Sequence, residues 1–168
     1  MNRLPVAILC GGNGTRANLP INKCFVAVEG KPFILHIMEH FEEQGFTTFV
    51  LCRGTGGTLK ALRDASGQLG EKFLVAYGDT LLRLDLRHFV SEWQRSRRSA
   101  IVAEYDGVDA GVSGYATWML DLVDSDDLAA MRNEAISRYM VHQYKAPEKW
   151  IEVGTPEALA EARSWFQR

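Results

Sequence analysis

A run of small and basic residues follows the first apolar segment of the chain: in VAILCGGNGTRANLPINKCFVAVEG, residues 6–30, Gly11, Gly12 and Gly14 precede Thr15 and Arg16, and Lys23 comes shortly after. Glycines let a backbone turn sharply and present its N–H groups to a large anion. A guanidinium grips phosphate oxygens two at a time, and an ammonium adds a mobile point charge. The spacing is neither GxGxxG nor a P-loop, which needs GK[ST] after its variable positions. A tight connection would account for the glycines alone. With Thr15, Arg16 and Lys23 added, phosphate binding is the better reading, because the loop leaves the carboxyl end of a strand, where open α/β sheets bind ligands.

The elements that must position this loop alternate between strand and helix. PVAILC is a short continuous apolar run, as in a central parallel strand covered on both faces. Residues 26–28 are extended and close on a turn at Glu29-Gly30. Pro32 then opens a helix whose apolar face is Phe33, Ile34, Ile37, Met38 and Phe41, with Gly45 as its stop. TTFVLC is a strand, and GTGG leads into a helix carrying Leu59, Leu62 and Arg63. KFLVAYGD is a strand ending at Asp79. A helix is expected over residues 86–97, strands at SAIVAEY and GYATWML, a helix capped by Asp126 through about Ile136, then extended YMVHQY and WIEVG. Thr155 caps the last helix, with Pro156 at its first position. The pattern predicts an α/β fold: a Rossmann-like three-layer α/β/α structure on a mostly parallel mixed sheet, with residues 1–168 forming one domain.

Composition narrows the function classes. At 46% hydrophobic and 24% charged, the chain is globular rather than disordered, and its formal charge of −2 gives no reason to expect nucleic acid or an anionic membrane as partner. Any anion site must be local. Cys10, Cys24 and Cys52 have no CxxC spacing and read as reduced thiols, which predicts a cytoplasmic protein. No apolar run approaches the roughly 18 residues a membrane span needs. His36 and His40 are four apart but lack the glutamate of HExxH, so they read as structural. No Ser-His-Asp or Cys-His arrangement suggests a protein nucleophile.

GGNGTR with its later lysine resembles the signature of the sugar-1-phosphate nucleotidyltransferases. EGKPFILHIMEHFEEQGFTTFVLC is similar to the next segment of that family, nearest to its glucose-1-phosphate cytidylyltransferases. GTGGTLKAL resembles the family's second glycine loop. VAYGDTLLRLDL resembles its strand ending in a metal-binding aspartate, as in the heptose-1-phosphate guanylyltransferases as well, and WIEVGTPEALAEA resembles the closing motif. The resemblance implies transfer of a nucleotidyl group from an NTP (CTP, GTP or UTP) to a sugar 1-phosphate, giving an NDP-sugar and pyrophosphate. It implies that Gly11, Gly12, Gly14 and Thr15 wrap the nucleotide, with Arg16 on the triphosphate and Lys23 on the pyrophosphate or the phosphate under attack. Gly56, Gly57 and Thr58 would sit beside the base and phosphates, with Gly78 also at the nucleotide, and Asp79 and Glu152 would hold Mg²⁺. Such transfer asks a protein mainly for positioning and charge neutralisation, which fits an Arg, a Lys and two carboxylates. The plainer alternative is that Asp79 caps the following turn and Glu152 is a solvated strand-end carboxylate.

Three departures from the family pattern carry expectations. Lys23 follows Asn22 rather than proline, on a shortened loop. Cys52 runs almost directly into RGTGG, where the family inserts a helix and a strand; a sheet edge is thereby left open, which predicts a homodimer through residues 49–53 or the GYATWML strand. After IVAEYDGVDAG the Glu-Lys-Pro segment, whose lysine normally contacts the sugar phosphate, is absent. That absence keeps a second reading open, an inactive nucleotide-binding regulatory or scaffold relative. A glycosyltransferase would want Asp-x-Asp after a strand, and DSDD instead precedes a helix.

Overall fold

In this computed structural model, residues 4–11 and 22–166 are described. The sequence folds as strands β1 (Val6–Leu9), β2 (Ala27–Val28) and β3 (Lys31–Pro32), helix α1 (Phe33–Glu42), β4 (Phe49–Cys52), α2 (Thr58–Ala65), β5 (Lys72–Tyr77), β6 (Thr80–Leu81) and α3 (Leu86–Ser96). There follow β7 (Ala100–Tyr105), β8 (Val108–Ala116), α4 (Leu128–Ser137), β9 (Val141–Lys145), β10 (Ile151–Glu152) and α5 (Pro156–Phe166). Six strands form the main sheet in the order β4-β1-β5-β8-β7-β9. The β1–β4, β1–β5 and β7–β9 pairs are parallel, and β8 runs antiparallel to both its neighbours. The mostly parallel mixed sheet expected from the sequence is the one found.

The layers follow from the alternation of side chains along each strand. Val6 and Ile8 point to one face, where Phe33, Ile34 and Ile37 of α1, Phe89 and Trp93 of α3 and Ala162 of α5 close over them. Ala7 and Leu9 point to the other, beneath Leu59 and Leu62 of α2 and Leu128, Met131 and Ala135 of α4. Covered on both faces, β1 can afford no polar residue, which is why VAIL reads as an uninterrupted apolar run.

Two local readings need correction. GYATWML is not a strand as a unit: β8 begins earlier, at Val108, and ends at Ala116, while Thr117–Asp121 is a 3-10 turn. Because β8 lies between β5 and β7, it offers no free edge, so the part of the expected dimer interface placed there is excluded. The edge strands of the main sheet are β4, which pairs with β1 alone, and β9, which pairs with β7 alone. The cap of α4 is Asp127 rather than Asp126: its side chain accepts from Ala129 N at 3.0 Å. β7 turns directly into β8 at Asp106 and Gly107, both at positive φ (50° and 77°), as in the tight hairpins that favour Asp-Gly.

Candidate functional site

The carboxyl ends of β1, β4 and β5 converge at one rim of the sheet. Cys10 N donates to Cys52 O at 3.0 Å and Gly78 N to Leu9 O at 2.9 Å, so the three chain segments leaving the strands stay side by side. Beside them opens a cavity of about 330 Å³ lined by Leu9, Gly11, Cys52, residues 54–58 and Ala61. Gly11 lies so close to the carbonyl of Gly54 that a side chain there would overlap it. The second glycine loop, residues 54–57, is held from behind. Gly57 adopts φ 131° with its α-hydrogen side against the main chain of Asp126. Leu59 N donates to Asp126 O at 2.8 Å, and Leu128 N to the Thr58 hydroxyl at 3.0 Å. Arg63 adds three bonds, to the carbonyls of Leu120 (2.8 Å), Ser125 (2.8 Å) and Val123 (2.7 Å). The loop is therefore a fixed wall rather than a loose flap.

On the other side of the β1 end, the small β6–β10 ribbon brings together segments far apart in sequence. Glu152 stands opposite Thr80, and Val153 N donates to Asp79 O at 3.1 Å. The half-buried Asp79 accepts from the Thr80 hydroxyl at 3.1 Å, and Glu152 is exposed. Lys23 lies in a 3-10 turn (Lys23–Phe25), and its Nζ is 3.3 Å from where a side chain on Gly154 would begin. A side chain at Gly154 would press on the Lys23 ammonium. Thr155 caps α5 as expected, its hydroxyl accepting from Ala158 N at 3.2 Å.

The departure at Asn22 acquires a structural role. Its Nδ2 donates to Cys10 O at 2.8 Å, and its Oδ1 accepts from Cys24 N at 3.0 Å. One side chain thus ties the lysine-bearing turn to the end of β1. Three buried thiols lie beneath: Cys10, Cys24 and Cys52. A hydrogen bond from Cys24, aided by the nearby Arg53, draws the Cys10 thiol down to about 7 against the effect of burial. Burial, with Cys10 adding to it, pushes Cys52 up to about 11. The two helix histidines serve structure, with His36 Nε2 at 2.9 Å from Val28 O and His40 Nε2 accepting from Leu84 N at 3.3 Å.

Of the residues expected at the site, Gly11, Gly56, Gly57 and Thr58 line the cavity, and Lys23, Gly78, Asp79 and Glu152 gather beside it. Gly12, Gly14, Thr15 and Arg16 lie outside the described residues. Sequence reasoning missed Asn22, the cavity-lining Gly54 and Thr55, and Arg53 at the end of β4. The RGTGG string was the available signal for the last three; Asn22 had none, since its partners are main-chain atoms. Among the described residues no group of three or more His, Cys, Asp or Glu side chains is placed to hold a metal by itself. Two hard carboxylates suit a cation such as Mg²⁺, which is commonly held by one or two carboxylates together with substrate phosphates, and Asp79 and Glu152 fit that role.

No family model matches the chain. It is 25% identical to a Bacillus subtilis (strain 168) protein described as a probable glucose-1-phosphate cytidylyltransferase, over 62% of this chain and 61% of that one. The match thus spans about three fifths of that relative's length. Among solved structures, HddC from Yersinia pseudotuberculosis complexed with GMP-PN superposes with a TM-score of 0.80 at 19% identity, covering 97% of this chain and 99% of that one. A second structure of the same protein gives a TM-score of 0.78 at 18% identity, with the same coverage. The fold is shared throughout, and the resemblance read from the motifs is borne out by the curated relative.

Proposed function

We propose that the chain transfers a nucleotidyl group from an NTP to a sugar 1-phosphate, releasing pyrophosphate. The observation that carries this reading is the β6–β10 ribbon, which pairs Glu152 with Thr80, the residue after Asp79, with Lys23 at the adjoining turn, next to the glycine-lined cavity. The cavity takes the base and ribose between Gly11 and the fixed second loop. An acceptor phosphate oxygen attacks the α-phosphorus in line; the new P–O bond forms as the bond to pyrophosphate breaks, and no protein nucleophile is used. Lys23 offsets charge on the phosphates, and Arg16 in the glycine loop is assigned to the triphosphate. Mg²⁺ held by Asp79 and Glu152 would neutralise charge between the α-phosphate and the acceptor.

The HddC structure with GMP-PN and the cytidylyltransferase relative support GTP and CTP as the first nucleotides to try. The test is a pyrophosphate-release screen of four NTPs against a panel of sugar 1-phosphates, with and without Mg²⁺. Release that depends on NTP, sugar phosphate and metal together is expected. Binding of an NTP with no release for any acceptor would favour the regulatory relative instead. The unpaired edge of β4 supports a homodimer.

A further inference from the structure

We propose that a second cavity, walled by α1, β6 and the end of α5, is a binding site for a neutral sugar ring, separate from the transfer site. The cavity encloses about 380 Å³, within the range of small-ligand pockets. Helix α5 marks the separation. It starts at Pro156, next to the turn that meets Lys23, and reaches the cavity with Phe166, so its length of about 16 Å lies between the two places.

Two histidines one turn apart on α1 set the polar lining. Each uses Nε2 to hold the fold, and that fixes what its other ring nitrogen can do. His36 Nε2 donates to Val28 O at 2.9 Å, which leaves Nδ1 of the neutral ring as an acceptor. His40 Nε2 accepts from Leu84 N at 3.3 Å, so the ring proton lies on Nδ1 and makes it a donor. Burial draws the His40 pKa down and keeps that ring neutral. Among the described residues the Tyr115 hydroxyl is the one buried side-chain polar atom without a partner, so neither Nδ1 is sealed in the core. Both rings line the cavity, and it is there that they meet solvent. One helical turn thus presents an acceptor beside a donor, a pairing that hydroxyl groups, which both give and accept, can satisfy.

The charges around this pair favour a neutral guest. Glu39, paired with Lys31, and the exposed Glu43 stand at the cavity and disfavour an anion. Arg83 disfavours a cation in the same space. Its guanidinium lies 3.6 Å over the Trp165 ring and makes no hydrogen bond or ion pair among the described residues, which keeps its N–H groups available. The half-buried Phe166 ring, 4.2 Å from that of His36, supplies an apolar face. An aromatic face, carboxylate acceptors and an available guanidinium around a donor–acceptor pair match the C–H face and hydroxyl rim of a pyranose.

The test is titration of the full isotope-labelled chain, without nucleotide, by D-glucose, D-galactose and D-mannose, followed through its backbone and imidazole NMR signals. Inorganic phosphate and putrescine serve as charged comparators. At least one sugar should shift the His36, His40 and Phe166 signals saturably, and neither comparator should. Phe166→Ala and Arg83→Gln should each weaken that binding at least about fivefold, with the dispersed spectrum of a folded chain. Asp79→Asn, altered at the transfer site, should bind the sugar as wild type does. The assignment is overturned if no sugar shifts these signals, if phosphate or putrescine shifts them as strongly, if Phe166→Ala and Arg83→Gln both keep wild-type affinity, or if Asp79→Asn loses the binding.

Discussion

Asn22 is the most informative single position to perturb, because one side chain couples the end of β1 to the turn that carries Lys23. Asn22→Ala deletes the donor to Cys10 O (2.8 Å) and the acceptor for Cys24 N (3.0 Å). A hydrogen bond is worth about 0.5–1.5 kcal/mol net, and more is lost when the partner left behind is shielded from water. Both partners belong to buried cysteines, so the upper end applies, about 2–3 kcal/mol for the two. In a chain of this size each kcal/mol moves Tm by about 2–4 °C, which predicts a fall of about 4–12 °C. Urea unfolding should show a lower midpoint with an unchanged m value. Asn22→Asp is the sharper probe: it keeps an acceptor for Cys24 N but turns a carboxylate oxygen toward the Cys10 carbonyl, and should be at least as destabilised at neutral pH. Transfer should slow more than NTP binding weakens, since Lys23 rather than the cavity loses its anchor. An alanine variant within about 0.5 kcal/mol of wild type, or an aspartate variant equal to it, refutes the tethering role.

The other predictions concern the carboxylates, the second loop, the thiols and the open edge. Asp79→Asn should abolish metal-dependent pyrophosphate release with an unchanged melting curve; wild-type rate and Mg²⁺ dependence would remove Asp79 from metal binding. Gly57→Ala places a methyl group against the Asp126 main chain at φ 131° and should cost at least about 2 kcal/mol and weaken NTP binding, so an unshifted Tm would show that the wall yields. Cys52 ionises near 9 when free and at about 11 in the fold, so the folded state holds this proton more tightly. Its contribution is intact below pH 9 and declines between 9 and 11; Cys52→Ala should flatten that part of the Tm–pH curve, and an unchanged slope would contradict it. Light scattering at micromolar concentration should report a dimer, and a mass of 18.8 kDa would leave the β4 edge uncovered by a second copy.

Much of the fold is legible because the central strands bury both faces. VAIL and FLVAY announce themselves as apolar runs, and Gly45, at φ 89°, ends the first helical region as its position suggests. β8 is less legible, since VDAGVSGYA is rich in small and polar residues. The reason lies in the layers. A side chain on Gly114 would begin 2.7 Å from the Trp93 ring, so the strand is thin where α3 presses its largest residue against the sheet. The cap of α4 was misplaced by one residue because Asp126 is used through its carbonyl, which accepts from Leu59, while the neighbouring carboxylate does the capping. For the site, short-range motifs sufficed for Gly11, Gly56, Gly57 and Thr58. The Asn22 tether joins main-chain atoms of Cys10 and Cys24 and leaves no local pattern.

Topology gives the two walls of the glycine-lined cavity different supports. β1 and β5 lie inside the sheet and carry Gly11 and Asp79 just beyond their carboxyl ends, whereas the second glycine loop follows the edge strand β4. Leu51 of β4 is 40% exposed at the sheet's margin, while β1 keeps a paired strand on each side. The cavity therefore joins an interior strand end, at Gly11, to the end of an edge strand, at Cys52 and Gly54. The two-residue turn at Asp106-Gly107 starts β8 at Val108 and sets Asp109 in register opposite Glu104. A carboxylate placed there must be paired, and α4 supplies Arg132.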